Sequence, residues 1–489
     1  MKKADPRILS LILALLILPS VAACQSEPVE GDAETTTDAD NTISSEVSDR
    51  TDSLPADLDF GGTTVNILWW EENNEFSEEL NGEVVNDALY ERDINVESRL
   101  NVTLNNIPMS YTWATRDIYI GTIRNSVMAG DGTYDIVSGQ YYTMPSLIPD
   151  GILVDLAKLP YLDFTQPWWV NGLVEETSVD GKLFLATGEI SINSIKELSC
   201  IFANGRLIDE YKLENPYELV DSGKWTLDKL EEMSSDIYTD INGNDTPDVG
   251  DLFGFQLYPN GLVPFIQSLD LKVTTNNDEG YPELTFGTEK VQDAIARLCS
   301  LTHDHLGVIL VKDADEATQS VRQTFNDGLS VFMTGVFNDA AKHYQNMTDD
   351  FLVLPYPKYD EAQAGYYSAL NEGNTLFGIT ASCDKTDVAA AVMEAIASEN
   401  HYTTSPAYFE TALKIKYSRD DDSARMFDLI RENVVFGFGS IYKGIGIDFE
   451  IKPQIYNNDP NWASYYDSKA PSYKAIIDEF YEKVKALDA

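Results

Sequence analysis

Cysteine and histidine are scarce, with four of each in 489 residues. Beyond Cys24 only Cys200, Cys299 and Cys383 remain, and no CxxC pair occurs. An odd number of thiols excludes a closed disulfide framework, and their apolar surroundings point to buried free thiols. His303 and His305 flank Asp304, but spacing supplies no third ligand, so a solvated helix end is expected there rather than a zinc centre. His343 and His401 stand alone. The GxSxG, HExxH and Walker A patterns are missing too, so none of the motif-bearing routes to acyl transfer, zinc hydrolysis or phosphoryl transfer is marked. Positive charge is the next shortage. The 34 basic residues face 81 acidic ones, a formal charge of −47. Such a field repels nucleic acid and attracts cations. No apolar run is long enough to cross a bilayer.

What is present begins with bulk. The chain is 43% hydrophobic and 11% aromatic, enough for a large core and, at this length, for more than one domain. At the N-terminus Lys2, Lys3 and Arg7 precede the apolar run from Ile8 to Leu18, followed by Val21-Ala22-Ala23-Cys24. A basic start, a short apolar run and small residues mark a secretory signal over residues 1–23. The cysteine after the small residues resembles a bacterial lipobox, which implies cleavage before Cys24 and lipid on its sulfur. An ordinary signal peptide with a chance cysteine is the alternative. Residues 25–57 are rich in Ser, Thr, Asp and Glu and poor in large apolar groups. They read, with Cys24, as an acidic tether spanning roughly 30 Å as a random coil.

The body opens at Phe60-Gly61-Gly62. Apolar periodicity predicts strands over 63–69, 101–107 and 134–139, alternating with helices over 84–100 and 113–129. That alternation implies a parallel sheet, with ligands beyond the carboxyl ends of its strands. Further strands are expected at 182–186, 197–203, 329–333, 351–357 and 375–380. Further helices are expected at 225–238 (Thr226 as its N-cap), 289–306, 386–398 and 471–486.

Several segments carry a resemblance. NGEVVNDALYERDINVESRLNV (81–102), GKLFLATGEISINSIKELSCIFANGRL (181–207), GKWTLDKLEEM (223–233), LSVFMTGVFNDAAK (329–342) and SPAYFETALKIKYSRDDDSARMFDLI (405–430) resemble family 1 extracellular solute-binding proteins, the receptors of ATP-driven (ABC) importers, of the maltose-binding-protein-like class. The resemblance spans essentially the whole chain. It implies an α/β, two-lobed periplasmic-binding-protein-like fold with hinge strands and an interlobe cleft. The chain would cross near Gly188, near Asn374 and after residue 425. Lobe 1 would then hold 58–188 and 375–425, and lobe 2 would hold 189–374 and 426–489. The implied protein is a monomeric, lipid-anchored, extracytoplasmic receptor and not an enzyme. It captures a solute, with carbohydrate as the leading class, and hands it to a membrane permease. A surface-anchored carbohydrate-active enzyme and an adhesion or scaffold lipoprotein are the alternatives.

Sugar sites combine aromatic faces with a few directed polar groups. Trp70 and Glu71 end the first strand, and core packing is the rival role for Trp70. Tyr141 and Tyr142 follow the YDIV strand. Trp169 belongs to QPWWVNGLV, where paired tryptophans can instead plug a lobe. Glu189, at the first crossing, would accept hydroxyl hydrogen bonds or pair with a basic neighbour. Phe337 and Asn338 follow LSVFMTG, where the resembled family commonly has an aromatic lining the sugar site. Asn371 and Glu372 precede the second crossing, and Trp462 is a weaker candidate.

One acidic stretch stands apart. In DINGNDTPDVGD (240–251), Asp240, Asn242, Asn244, Asp248 and Asp251 fall at the first, third, fifth, ninth and twelfth places of an EF-hand-type calcium loop, with the Thr246 carbonyl at the seventh. Asp245 occupies the place of the usual glycine, though Asp tolerates positive φ. Asp251 is shorter than the usual Glu. A structural calcium ion and an unmetallated acidic turn are both open readings, and no catalytic cofactor is expected.

Overall fold

The computed structural model describes residues 52–487, except 171, 313, 372, 415–420 and 443–445. The expected signal segment, Cys24, most of the tether and Glu372 lie outside the described residues. Packing is already established ahead of Phe60. Leu54 is buried, Arg99 pairs with Asp52 at 3.1 Å, and the Ser53 hydroxyl donates to Glu394 at 2.6 Å.

The strands in chain order are β1 (Thr63–Trp70), β2 (Val102–Met109), β3 (Ile136–Gln140), β4 (Ser199–Asn204), β5 (Tyr238–Thr239) and β6 (Leu252–Leu257). They continue as β7 (Thr274–Asn276), β8 (Pro282–Leu284), β9 (Val308–Leu310), β10 (Ser330–Val336), β11 (Phe351–Leu354) and β12 (Thr375–Ile379). The first sheet has the order β12-β3-β1-β2. β1 runs parallel to β2 and to β3, as the strand–helix alternation requires, and β12 closes the edge antiparallel to β3. Val65 and Ile67 to Trp70 are all buried, because both faces of β1 are covered.

The connecting helices are set by local chemistry. Helix α1 (Val84–Leu100) starts where the Glu83 carboxylate accepts the Asn86 N–H, and it stops at Asn101, whose φ of 50° is left-handed. Helix α2 (Arg116–Ala129) begins three residues later than expected. Thr112 and Thr115 exchange backbone-to-side-chain hydrogen bonds of 2.8 and 3.3 Å, which holds this segment in a turn.

The second sheet has the order β11-β4-β10-β6-β5, with β9 added to β6. β6, β9 and β10 are parallel, and β4 is antiparallel to β10 with Ser199 opposite Val336. The carboxyl ends of the three parallel strands and the start of β4 therefore share one edge. The chain passes from the first sheet to the second between β3 and β4 and returns between β11 and β12, and the linking segments are bonded to one another and to the stretch at Val434. Leu198 bridges Leu370, and Ser368 bridges Val434.

Some expected elements differ. Residues 182–186 make only isolated bridges, Val179 with Lys182 and Ala186 with Phe377. Side chains satisfy part of that backbone: the Leu183 N–H donates to the Asp155 carboxylate at 3.0 Å. The 225–238 helix spans only Leu227–Ser234, with Thr226 accepting the Lys229 N–H as expected. It ends early because the Ser235 and Ile237 carbonyls accept from Gly307 and Gly254 beside β6. The last helix, Trp462–Ala486, is longer than expected and runs through Pro471. The three thiols are buried and free. Among the described residues no helix is long and apolar enough to cross a membrane.

Candidate functional site: a cleft between the two sheets

The loops after β1, β2 and β3 lie together at the carboxyl edge of the first sheet. Glu72 ties two of them, accepting from the Ser110 hydroxyl at 2.5 Å and the Tyr111 N–H at 2.8 Å. Burial pushes the Glu72 carboxyl up, but those hydrogen bonds outweigh it and hold the group below its ordinary value. Trp70 is 7% exposed and packs on Tyr111 at 5.2 Å, and Tyr111 stacks on Tyr119 at 4.3 Å. Trp70 thus belongs to the packed backing of the cleft wall, while Glu71 is exposed beside it.

Tyr141 sits at the wall itself. Its N–H donates to the Asn374 carbonyl at 3.2 Å, which pins the loop after β3 to the second crossing. Its ring lies 5.7 Å from Tyr142 and 6.4 Å from Phe436, a residue just past the Ser368–Val434 bridge. Tyr141, Asn371, Phe436, Gln267 and Ser440 line a narrow throat of about 20 Å³ between the sheets. Gln267, Phe436 and Ser440 also line the adjoining cavity of about 460 Å³, with Thr274, Tyr367 and Asn433. That volume is in the range of small-molecule sites, and the lining combines aromatic rings, amides and hydroxyls with the charged Glu176, Asp270, Lys272 and Glu432.

The first crossing adds charge. The Asn371 N–H donates to the Glu197 carbonyl at 2.9 Å, and its side-chain amide approaches the Glu197 carboxylate at 3.4 Å. Burial and the nearby Asp339 carboxylate push Glu197 up to about 7. Asp339 is itself held by Arg322 at 2.5 Å and by the Val336 N–H at 3.1 Å. Burial pushes the neighbouring Lys196 ammonium down, against the pull of Glu75, Glu197 and Glu83. Lys196 faces a second cavity of about 370 Å³ with Asn74, Phe76, Asn86 and Tyr408. Glu75 links β12 to the first crossing by accepting from Thr375, Ser191 and Asn193 at 2.6–2.8 Å.

The remaining expected residues are placed as follows. Phe337 is 2% exposed and packs edge-on against Phe427 at 4.5 Å, inside the second sheet's core, while Asn338 is half-buried. Tyr142 is half-buried at the outer side of Tyr141. Trp169 is 2% exposed, and its indole donates to Glu394 at 3.0 Å, beside the Trp168 indole at 3.1 Å. Glu189 accepts from Ser405 at 2.6 Å, contacts His401 at 3.0 Å and faces Arg431 at 3.7 Å. Trp169 and Glu189 line a different cavity, of about 260 Å³, and the structure does not bring them together with Tyr141. Gly188 between them has φ 146°, and a Cβ there would sit 2.3 Å from the Trp168 carbonyl oxygen. Trp462 is fully buried and donates to the Phe286 carbonyl at 2.8 Å.

Glu197, Gln267 and Phe436 were not singled out from the sequence. Glu197 lies eight residues past the Glu189 that was. The strand that precedes the Gln267 region, β6, was not recognised as one.

The 240–251 loop is built as a compact turn. Asp245 takes φ 58°, the left-handed conformation that the sixth place demands. Asp240 accepts from the Gly243 and Asp245 N–H groups, Asp248 from the Asn242 and Asn244 amides, and the buried Asp251 from the Ile241 N–H and the Tyr238 hydroxyl. The turn and the spacing fit calcium. The carboxylates are directed at N–H and O–H donors, and among the described residues no three Asp, Glu, His or Cys groups converge as a metal site.

No protein-family model matches the chain, and no curated protein does. Solved structures do. UspC from M. tuberculosis is 14% identical, covering 84% of this chain and 100% of that one, with a TM-score of 0.57. A cyclo/maltodextrin-binding protein complexed with maltotetraose is 12% identical, with 87% and 97% covered and a TM-score of 0.55. The cyclic alpha-maltosyl-1,6-maltose binding protein from Arthrobacter globiformis is 16% identical, with 87% and 99% covered and a TM-score of 0.52. Likeness at this identity, over nearly the whole body, is a likeness of fold: the chain has the two-lobed α/β architecture of solute-binding proteins.

Proposed function

We propose that this protein is an extracytoplasmic receptor that captures a carbohydrate between its two lobes and delivers it to the permease of an ABC importer. The observation that carries the reading is the cavity of about 460 Å³ lined by Gln267, Thr274, Tyr367, Asn433 and Phe436, which adjoins the narrow throat at Tyr141 and Asn371 where the loop after β3 meets the crossings. A solute held there touches both lobes and stabilises their closed arrangement, which a permease can then recognise. The solved structures of like fold that are described as binding maltotetraose and a cyclic maltosyl-maltose favour a sugar as the class. The lobes divide at the three crossings. Cys24, placed after its signal-like segment, carries the lipid that holds the monomeric body outside the membrane.

A thermal-shift screen over sugars, amino acids, peptides and polyamines tests this. A true solute at 100 times its Kd raises stability by about 2.7 kcal/mol and is recovered unchanged. Cleavage of the sugar would place the protein among enzymes. A shift with peptide and none with any sugar would refute the carbohydrate reading.

The 240–251 loop belongs to the same account as a staple away from the cleft. Calcium would be held by Asp240, Asn242, Asn244, Asp248 and Asp251 with the Thr246 carbonyl, the two Asn amides turning their oxygens inward. Calcium then raises the melting temperature and a chelator reverses the rise. Equal melting with calcium and with chelator would remove the ion.

A further inference from the structure

We propose that the cavity of about 370 Å³ at Lys196 is a second ligand site, which takes a small hydroxylated monocarboxylate such as a sugar acid. It shares no lining residue with the cavity at Gln267 and Phe436, and it stands whether or not the solute held there is a sugar. Its walls come from both sheets. Asn74 follows β1 and Asn86 lies in α1, while Ala341 and Gln345 come from the helix Phe337–His343 after β10 and the turn beyond it. Lys196 ends the short helix Asn193–Lys196 in the first linking segment.

The lysine is the anomaly. It is half-buried, and among the described residues no hydrogen bond or ion pair reaches its ammonium. A lysine withdrawn from water is ordinarily paired, because it carries three donors and a charge. The carboxylates of Glu75, Glu197 and Glu83 act on it only through space, against the burial that pushes the ammonium down. Each is engaged elsewhere. Glu83 accepts the Asn86 N–H at the start of α1, and one Glu75 oxygen accepts from Thr375, Ser191 and Asn193. Glu197 takes the Asn371 amide. Tyr408 brings a second group without a partner: it is 4% exposed, lines the same cavity, and its hydroxyl makes no hydrogen bond. A carboxylate entering the cavity would give the ammonium the acceptor it lacks, in a charge-assisted bond. The amides of Asn74, Asn86 and Gln345 suit the hydroxyls of such a ligand. The three carboxylates around the lysine repel a second negative charge, which sets a monocarboxylate apart from phosphate or a dicarboxylate.

The test is a thermal-shift comparison followed by calorimetric titration of the whole protein. The probes are D-glucuronate, D-galacturonate and D-glycerate, beside their neutral counterparts D-glucose, D-galactose and glycerol, and beside succinate and inorganic phosphate. At least one monocarboxylate should raise the melting temperature and bind about ten-fold or more tightly than its neutral counterpart, succinate or phosphate. Lys196→Met should weaken that acid about ten- to a hundred-fold, and Lys196→Arg should keep most of the affinity. Both variants should melt as the wild type does without ligand, because the substitution breaks no bond. A shift with none of the three acids would overturn the site, and so would equal affinity of wild type and Lys196→Met for the acid that binds. Equal binding of each acid and its neutral counterpart, or tighter binding of succinate or phosphate, would overturn the ligand class. Should Lys196→Met fail to fold, the comparison of acid with neutral counterpart on the wild type and on Lys196→Arg still decides.

Discussion

Glu394→Ala offers a test whose magnitude can be worked from contacts. Glu394 is fully buried on the helix Thr386–Glu399. Its carboxylate accepts four hydrogen bonds: the Trp168 indole at 3.1 Å, the Trp169 indole at 3.0 Å, the Asp163 N–H at 3.2 Å and the Ser53 hydroxyl at 2.6 Å. The substitution leaves two indole N–H groups, 1% and 2% exposed by residue, without an acceptor. Each buried donor left unsatisfied costs about 1–3 kcal/mol, so the pair costs about 2–6 kcal/mol, and the lower end applies if water enters the space. Ser53 and Asp163 are better placed to recruit solvent and add little. Glu394→Gln keeps one oxygen but turns an NH₂ toward donors, and should lose about 1–3 kcal/mol. Equilibrium urea unfolding reads this as a lower midpoint at unchanged slope. Solute affinity should stay as in the wild type. A Glu394→Ala protein within about 0.5 kcal/mol of wild type would refute the view that Trp168 and Trp169 are a structural plug. A loss of binding with unchanged stability would return Trp169 to the site.

Further outcomes follow from other contacts. Tyr141→Ala should weaken solute binding roughly ten-fold, about 1–2 kcal/mol by titration, and, because the ring is only 6% exposed, should also lower stability by about 3–5 kcal/mol in the urea assay. Trp70→Ala should cost a similar amount, roughly 3–5 kcal/mol, through the cavity left against Tyr111, but should leave solute affinity unchanged because Trp70 does not line the throat. Asp339→Asn leaves Arg322 without its buried partner and should destabilise by about 3–5 kcal/mol in the same urea assay. For Glu197, burial first and Asp339 second raise the folded-state pKa from 4.5 to about 7. A raised carboxyl favours the proton-bound folded state, so stability declines as pH rises from about 4.5 to about 7 and levels above that. Glu197→Gln should remove this component. An identical pH profile for the two proteins would contradict it.

Much of the first sheet was legible because its strands and helices carry clean periodicity and local stop signals. The β1–α1–β2–α2–β3 order, the Thr226 cap and the buried thiols are all readable from the sequence. The residues that form the throat were harder. Tyr141 was readable as a residue just past an apolar strand. Gln267 and Phe436 come from stretches with no such flag and meet Tyr141 only through the crossings. Exposure was also hidden in the letters. Trp69, Trp70, Trp113, Trp168 and Trp169 look alike in sequence, yet only Trp113 is left in water. What separates them is a tertiary fact, the presence or absence of an opposing element such as the helix that carries Glu394.

The central claim is that a sugar sits between the two sheets at the ends of their strands. Hydrogen–deuterium exchange, compared with and without the best oligosaccharide from the screen, tests it most directly. Protection should concentrate at 70–75, 140–143, 369–374 and 434–441, segments that face the throat or brace it. Protection confined to 167–170 with 188–190, or to the far loop 240–251, would place the solute elsewhere and contradict the account.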